Sequence, residues 1–233
     1  MKSWSCAWLV AAGCVGGPQP LSELHATKLT VYGGDTLALS NVGPSINVML
    51  ETPDCAPPLD DASASFGGIA LMPFEKSGHD GGCFGWTARL PDVAPGALDS
   101  VEPILTIRDA SETWSIEVPG LHDGNVALSS PVTPGRTVAI TWVDGPRIWA
   151  GHFHLVTSAG AFDLVSTTTG GWHLPTAAGD PAVVDVPASA GVGAARVTLD
   201  VNGERTPAPR CEGPSACTLE LAVGSVFDVT IGN

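Results

Sequence analysis

The sequence predicts an all-β protein, two tandem β-sandwiches placed after a short N-terminal export segment. Three observations carry this. Apolar residues recur at every second position through most of the chain, and 28 Gly and 20 Pro punctuate those runs. The heptapeptide Gly34–Ser40, "GDTLALS", returns as Gly135–Thr141, "GRTVAIT". Four cysteines fall into two pairs, Cys55 with Cys83 and Cys211 with Cys217, one pair in each half. No stretch sustains the i, i+3, i+4, i+7 pattern of an amphipathic helix. At 233 residues the chain has room for one large β domain or two ordinary ones.

Met1 to Gly13 reads as a compressed export signal. Lys2 is its charged end, Cys6 to Ala12 its apolar core, and Ala11-Ala12-Gly13 its small-residue cleavage site. With Cys14 next, this stretch resembles the lipobox of bacterial lipoproteins, although Ala11 stands where that family usually has Leu. The resemblance implies acylation of the Cys14 sulfur, with Cys14 as the mature N-terminus held in a membrane. Val15, where an Asp often marks inner-membrane retention, favours the outer membrane of a Gram-negative cell. Ordinary signal cleavage and an uncleaved chain are the alternatives. Residues 14–25 then form a tether, flexible around Gly16-Gly17-Pro18.

The first unit is assigned to 26–120. Leu29 and Val31 are in phase, as are Ile46, Val48 and Leu50, then Phe84, Trp86 and Leu90, then Trp114, Ile116 and Val118. One apolar face per strand suits a sheet that is buried on one side and wet on the other. Pro119 to Asn125, "PGLHDGN", is rich in turn formers and marks the boundary.

The second unit is assigned to 121–233. Val138, Ile140 and Trp142 share a face, and Trp149 is placed inward with Phe153 and Leu155. Val197, Leu199 and Val201 follow, then Leu219, Leu221 and Val223, then Phe227, Val229 and Ile231. The two heptapeptides stand about 100 residues apart, the length of an immunoglobulin-like domain. On strand rhythm, unit length and this repeat, the chain resembles the tandem immunoglobulin-like or fibronectin-type-III-like modules of bacterial surface proteins. A Trp between two inter-sheet cysteines is missing, since Trp86 follows both Cys55 and Cys83.

Four cysteines permit three pairings. Local bridges, Cys55–Cys83 and Cys211–Cys217, keep each disulfide inside one unit. The longer loop would contribute about 3–4 kcal/mol and the shorter about 2 kcal/mol by loop closure. No Cys-x-x-Cys spacing suggests zinc. Disulfides of this kind point to an oxidising compartment.

Charge excludes one large function class. With ten Lys and Arg against 24 Asp and Glu, the net charge is −14, and a nucleic-acid polyanion would be repelled. Hydrophobic residues at 44% against 15% charged exclude a disordered chain.

Chemistry-bearing residues are few. No metal is assigned, but His152 and His154 are the candidates. Two residues apart on a strand, they point the same way, with His173 or Asp163 as a third ligand. No cofactor is expected. Calcium is weighed at Asp60-Asp61 and Asp123-Gly124, where solvated turns serve as well. No Gly-x-Ser-x-Gly occurs, "GPSIN" and "GPSAC" are only Ser-containing turns, and His79-Asp80-Gly81-Gly82 fits a tight loop, so no catalytic residue is named. Trp172 and His173, in "TTTGGWHLP", are the ligand-binding candidates, with Tyr32 as a further aromatic. The expected function is a non-catalytic surface lipoprotein with an adhesive, ligand-binding or envelope-structural role, whose surface partner or glycan is unspecified. A carbohydrate-binding module or accessory protein of a degradative system is the alternative, and a hydrolase comes third.

Overall fold

The computed structural model describes residues 17–24, 28–34, 45–52, 55–76, 85–90, 98, 100–119, 121, 126–129, 131–166, 170–214 and 217–232. These residues are all-β, with one 3-10 turn at Ala188–Ala190 and no α-helix among them. No helix among them is long and apolar enough to cross a membrane.

The strands of the first half are β1 (Lys28–Gly34), β2 (Ser45–Glu51), β3 (Ser63–Phe66), β4 (Ile69–Ala70), β5 (Glu75–Lys76), β6 (Trp86–Arg89), β7 (Ile104–Arg108) and β8 (Thr113–Glu117). Next come β9 (Val126–Leu128), β10 (Thr137–Trp142), β11 (Ile148–Thr157), β12 (Gly160–Val165), β13 (Trp172–His173) and β14 (Ala182–Asp185). The last are β15 (Gly193–Gly203), β16 (Thr206–Pro207), β17 (Cys211–Glu212) and β18 (Thr218–Ile231).

Period-two patterning explains which side of each strand is buried. Val197, Leu199 and Val201 are fully covered, while Thr198, Asp200 and Asn202 between them are half-buried. The same alternation holds for Val138, Ile140 and Trp142, for Trp114 and Ile116, and for Ile46, Val48 and Leu50. These faces meet in one buried core cluster that includes residues of both halves.

Among the described residues three sheets result. The largest runs β12-β11-β15-β18-β1-β2-β6-β5, with β16 also on β18. The second runs β13-β14-β10-β9, and the third β17-β8-β7-β3-β4. The second sheet lies against the β11–β15 part of the large one. A Cβ on Gly151 would meet the Trp172 ring, and one on Gly203 would come 3.1 Å from the Trp142 ring.

The strand β18 crosses the division expected at residue 120. Its first half, Leu219 to Gly224, pairs in parallel with Leu29 to Gly34 of β1. Its second half pairs antiparallel with β15, from Ala222↔Asn202 to Ile231↔Gly193. β17 likewise joins β8, Cys211 facing Ile116. The segment from β17 into β18, expected in a separate second unit, therefore completes the sheets of the first half. Within the expected boundary stretch, Leu121 is buried.

Two further expectations change. Within the tether expected over 14–25, the stretch from Gln19 to Leu24 is docked. The Gln19 N–H donates to the Pro57 carbonyl at 2.9 Å, the Leu59 N–H to the Gln19 carbonyl at 3.1 Å, and Leu21 and Leu24 are buried. Two leucines three residues apart gain more from covering the first half than a solvated tether would. Trp149, expected inward, is 45% exposed. The register of β11 on β15 slips between Ile148 (opposite Gly203) and Ala150 (opposite Asn202), so Trp149 is the extra residue of a β-bulge. Ile148 takes the inward place instead.

Cys211 and Cys217 are joined, with sulfurs 2.01 Å and Cα atoms 5.9 Å apart. Cys55 is also disulfide-bonded, while Cys83 lies outside the described residues. So do Cys14, the export signal, the first heptapeptide beyond Gly34, His79-Asp80-Gly81-Gly82 and Asp123-Gly124.

Candidate metal centre on the outer sheet face

The residues best placed for chemistry sit on the wet face of β11, β12 and β15. Phe153 and Leu155 of β11 are wholly buried, which turns His152 and His154 outward. The tight hairpin from β11 to β12 sets the register His154↔Asp163. On the other flank, β15 places Asp200 opposite His152.

The imidazoles converge on one oxygen. His152 Nε2 lies 3.0 Å and His154 Nδ1 2.6 Å from Oδ1 of Asp163. The ring centroids are 6.3 Å apart at an interplanar angle of 62°. Nδ1 of His152 faces Oδ2 of Asp200 at 4.0 Å. The hydrogen bond from His154, followed by that from His152, holds the Asp163 carboxyl below its ordinary value against a small opposing desolvation. One nitrogen of each ring and one oxygen of Asp163 all lie within 4.8 Å of one another. Both histidines are about one-third exposed and Asp163 more so, which leaves the group open to solvent.

His152, His154 and Asp163 are therefore brought together as the sequence reading allowed. His173 is not part of the group. It sits on β13, exposed, with Nε2 3.3 Å from Oδ2 of Asp185. Asp200 was missed by sequence reasoning. The signal was its outward place in the Val197–Leu199–Val201 alternation, but only strand pairing sets it opposite His152.

Trp172 departs from the expected loop-borne platform. It belongs to β13, is half-buried, and donates from Nε1 to the Leu164 carbonyl at 2.9 Å. Its ring lies over Gly151, where a Cβ would come 2.4 Å from Cη2. The indole seals the space between two sheets, since its large apolar body is covered and its one donor satisfied. Asp60 and Asp61 are exposed in a turn, and among the described residues no cluster forms around them that could hold an ion.

No family model matches the chain, and no curated protein does. Among solved structures it is similar to a chimeric titin Z1Z2-Z1Z2 tandem functionalized with a GRGDS exogenous peptide from fibronectin. The identity is 11%, with 87% of this chain and 96% of that one covered at a TM-score of 0.19. So loose a superposition carries no argument about role.

Proposed function

We propose that the protein is a non-catalytic binding or structural component of the bacterial cell envelope, exported and anchored through lipid on Cys14. The observation that carries this is its sulfur chemistry. Cys211 and Cys217 are bridged and Cys55 is in a disulfide, a state that persists outside the reducing cytoplasm. The lipobox-like run before Cys14 supplies the route out, and two or more acyl chains would hold the protein stably where one would not. Loops and strand edges borne on a rigid β framework are the contact surfaces such a component offers. Its acidity, −14 overall, keeps it soluble and apart from polyanions.

Intact mass of the membrane-extracted mature protein tests this reading. The expected mass lacks residues 1–13, carries acyl chains, and shows the hydrogen deficit of two disulfides. A mass that retains Met1 with the four later thiols free would overturn it.

A further inference from the structure

We propose that His152, His154 and Asp163 bind one borderline divalent transition-metal ion, of the Zn(II), Cu(II) or Ni(II) type. The framework is rigid where it matters. β11 is paired on both sides, to β12 from His152 to Thr157 and to β15 from Ala150 to Val156. Phe153, wholly buried between the two histidines, fixes the strand and hence the side of the sheet from which both rings project. Sites on strands hold their geometry better than sites on loops.

The donors lie a little closer together than an ion needs. Metal–nitrogen and metal–oxygen bonds of about 2.0–2.2 Å place neighbouring ligand atoms roughly 3.3–3.6 Å apart around a tetrahedral ion. Two of the three spacings here are 3.0 and 2.6 Å. Small rotations of exposed side chains open the group enough to admit the ion. Two imidazole nitrogens and one carboxylate oxygen suit Zn(II), Cu(II) and Ni(II). Calcium and magnesium want more oxygens, and Cu(I) wants sulfur.

The surroundings agree. When Nε2 of His152 binds metal, its Nδ1 carries the proton and faces the Asp200 carboxylate. Metal-binding histidines are commonly oriented by such an outer carboxylate. At 4.0 Å the pair is longer than a hydrogen bond, and Asp200 becomes a positioning residue once the ring turns toward it on metal binding. The nearest cation on β15, Arg196, is turned to Asp228 at 3.8 Å. Three protein ligands leave a coordination position open, so the ion could present itself to water or to a donor from a partner.

A plain hydrogen-bonded His–Asp–His cluster has the same unliganded geometry, and titration of the disulfide-intact protein with Zn(II) alone separates the two. Saturable binding of one ion per chain is expected. Asp200→Asn should weaken it by about 10–100-fold, and His154→Gln or Asp163→Asn by more. His173→Gln, with its partner Asp185 elsewhere, should leave it unchanged. Circular dichroism and thermal melts confirm that these surface variants fold. Absence of saturable Zn(II) binding, or binding that survives both His154→Gln and Asp163→Asn, overturns the proposal. Because intact mass reads export and titration reads this site, failure of one is distinguishable from failure of the other.

Discussion

Asp109, half-buried in the turn between β7 and β8, organises the backbone around it. Its Oδ2 accepts the Leu21 N–H at 2.6 Å, and its Oδ1 accepts the Ser111 N–H, the Ser111 hydroxyl and the Glu112 N–H at 2.8, 2.7 and 2.9 Å. Desolvation pushes the carboxyl upward, but the bonds from Leu21, Ser111 and Glu112 together outweigh it and hold it below its ordinary value. A depressed carboxylate adds stability that is present above its unfolded pKa and lost as pH falls through the folded one. Asp109→Asn should therefore cost about 1–3 kcal/mol near neutral pH and flatten the acid side of the stability–pH profile, as urea melts across that range would read. The Leu21 contact was not legible in the sequence, since it joins residues far apart along the chain. The inward or outward sense of most strand residues was legible, because side-chain direction follows position parity. Trp149 escaped it because one inserted residue resets that parity, and no composition cue marks the insertion. His152 and His154 were legible as a pair for the parity reason, whereas the choice of Asp163 over His173 required the hairpin register.

At the scale of elements, the loop closed by Cys211–Cys217 serves as a staple and a lid. Cys211 starts β17, the edge strand on β8, and the Glu117 N–H donates to the Arg210 carbonyl at 2.9 Å just before it. Within the loop, Gly213 has φ +108 and lies over the buried Trp114, where a Cβ would come 2.3 Å from Cδ1. Glycine is required there both for the backbone angle and for the close approach. The double variant Cys211→Ser/Cys217→Ser should lose about 2 kcal/mol of stability by loop closure. It should also red-shift tryptophan fluorescence as water reaches Trp114, and an unchanged spectrum would count against the lid. The sequence allowed this bridge as one of three pairings, and only the β17–β8 pairing explains what the bridge holds down.

Across the whole molecule, β18 ties the two halves together. Its odd-numbered residues from Leu219 to Ile231 keep one phase throughout, Ser225 among them being 7% exposed. Read as a sequence, Leu219, Leu221 and Val223 form one in-phase set and Phe227, Val229 and Ile231 another. Folded, it is a single strand whose ends serve different partners. One cooperative unfolding transition is therefore expected. Leu105→Ala, in the first half, and Ile140→Ala, in the second, both remove wholly buried side chains and should each destabilise that same transition by about 2–5 kcal/mol. Two transitions, each moved by only one substitution, would mean that the halves unfold independently. By itself the sequence determined that the chain is all-β, which face of most described strands is buried, and that His152 and His154 share a side. Those are local properties, set by side-chain alternation and turn chemistry over a few residues. Tertiary structure alone decided that the first strand lies parallel to the last, that the final segment crosses between halves, and that Asp163 and Asp200 flank the histidines. Any strand with one apolar face can satisfy many neighbours, and only packing of the entire core selects among them.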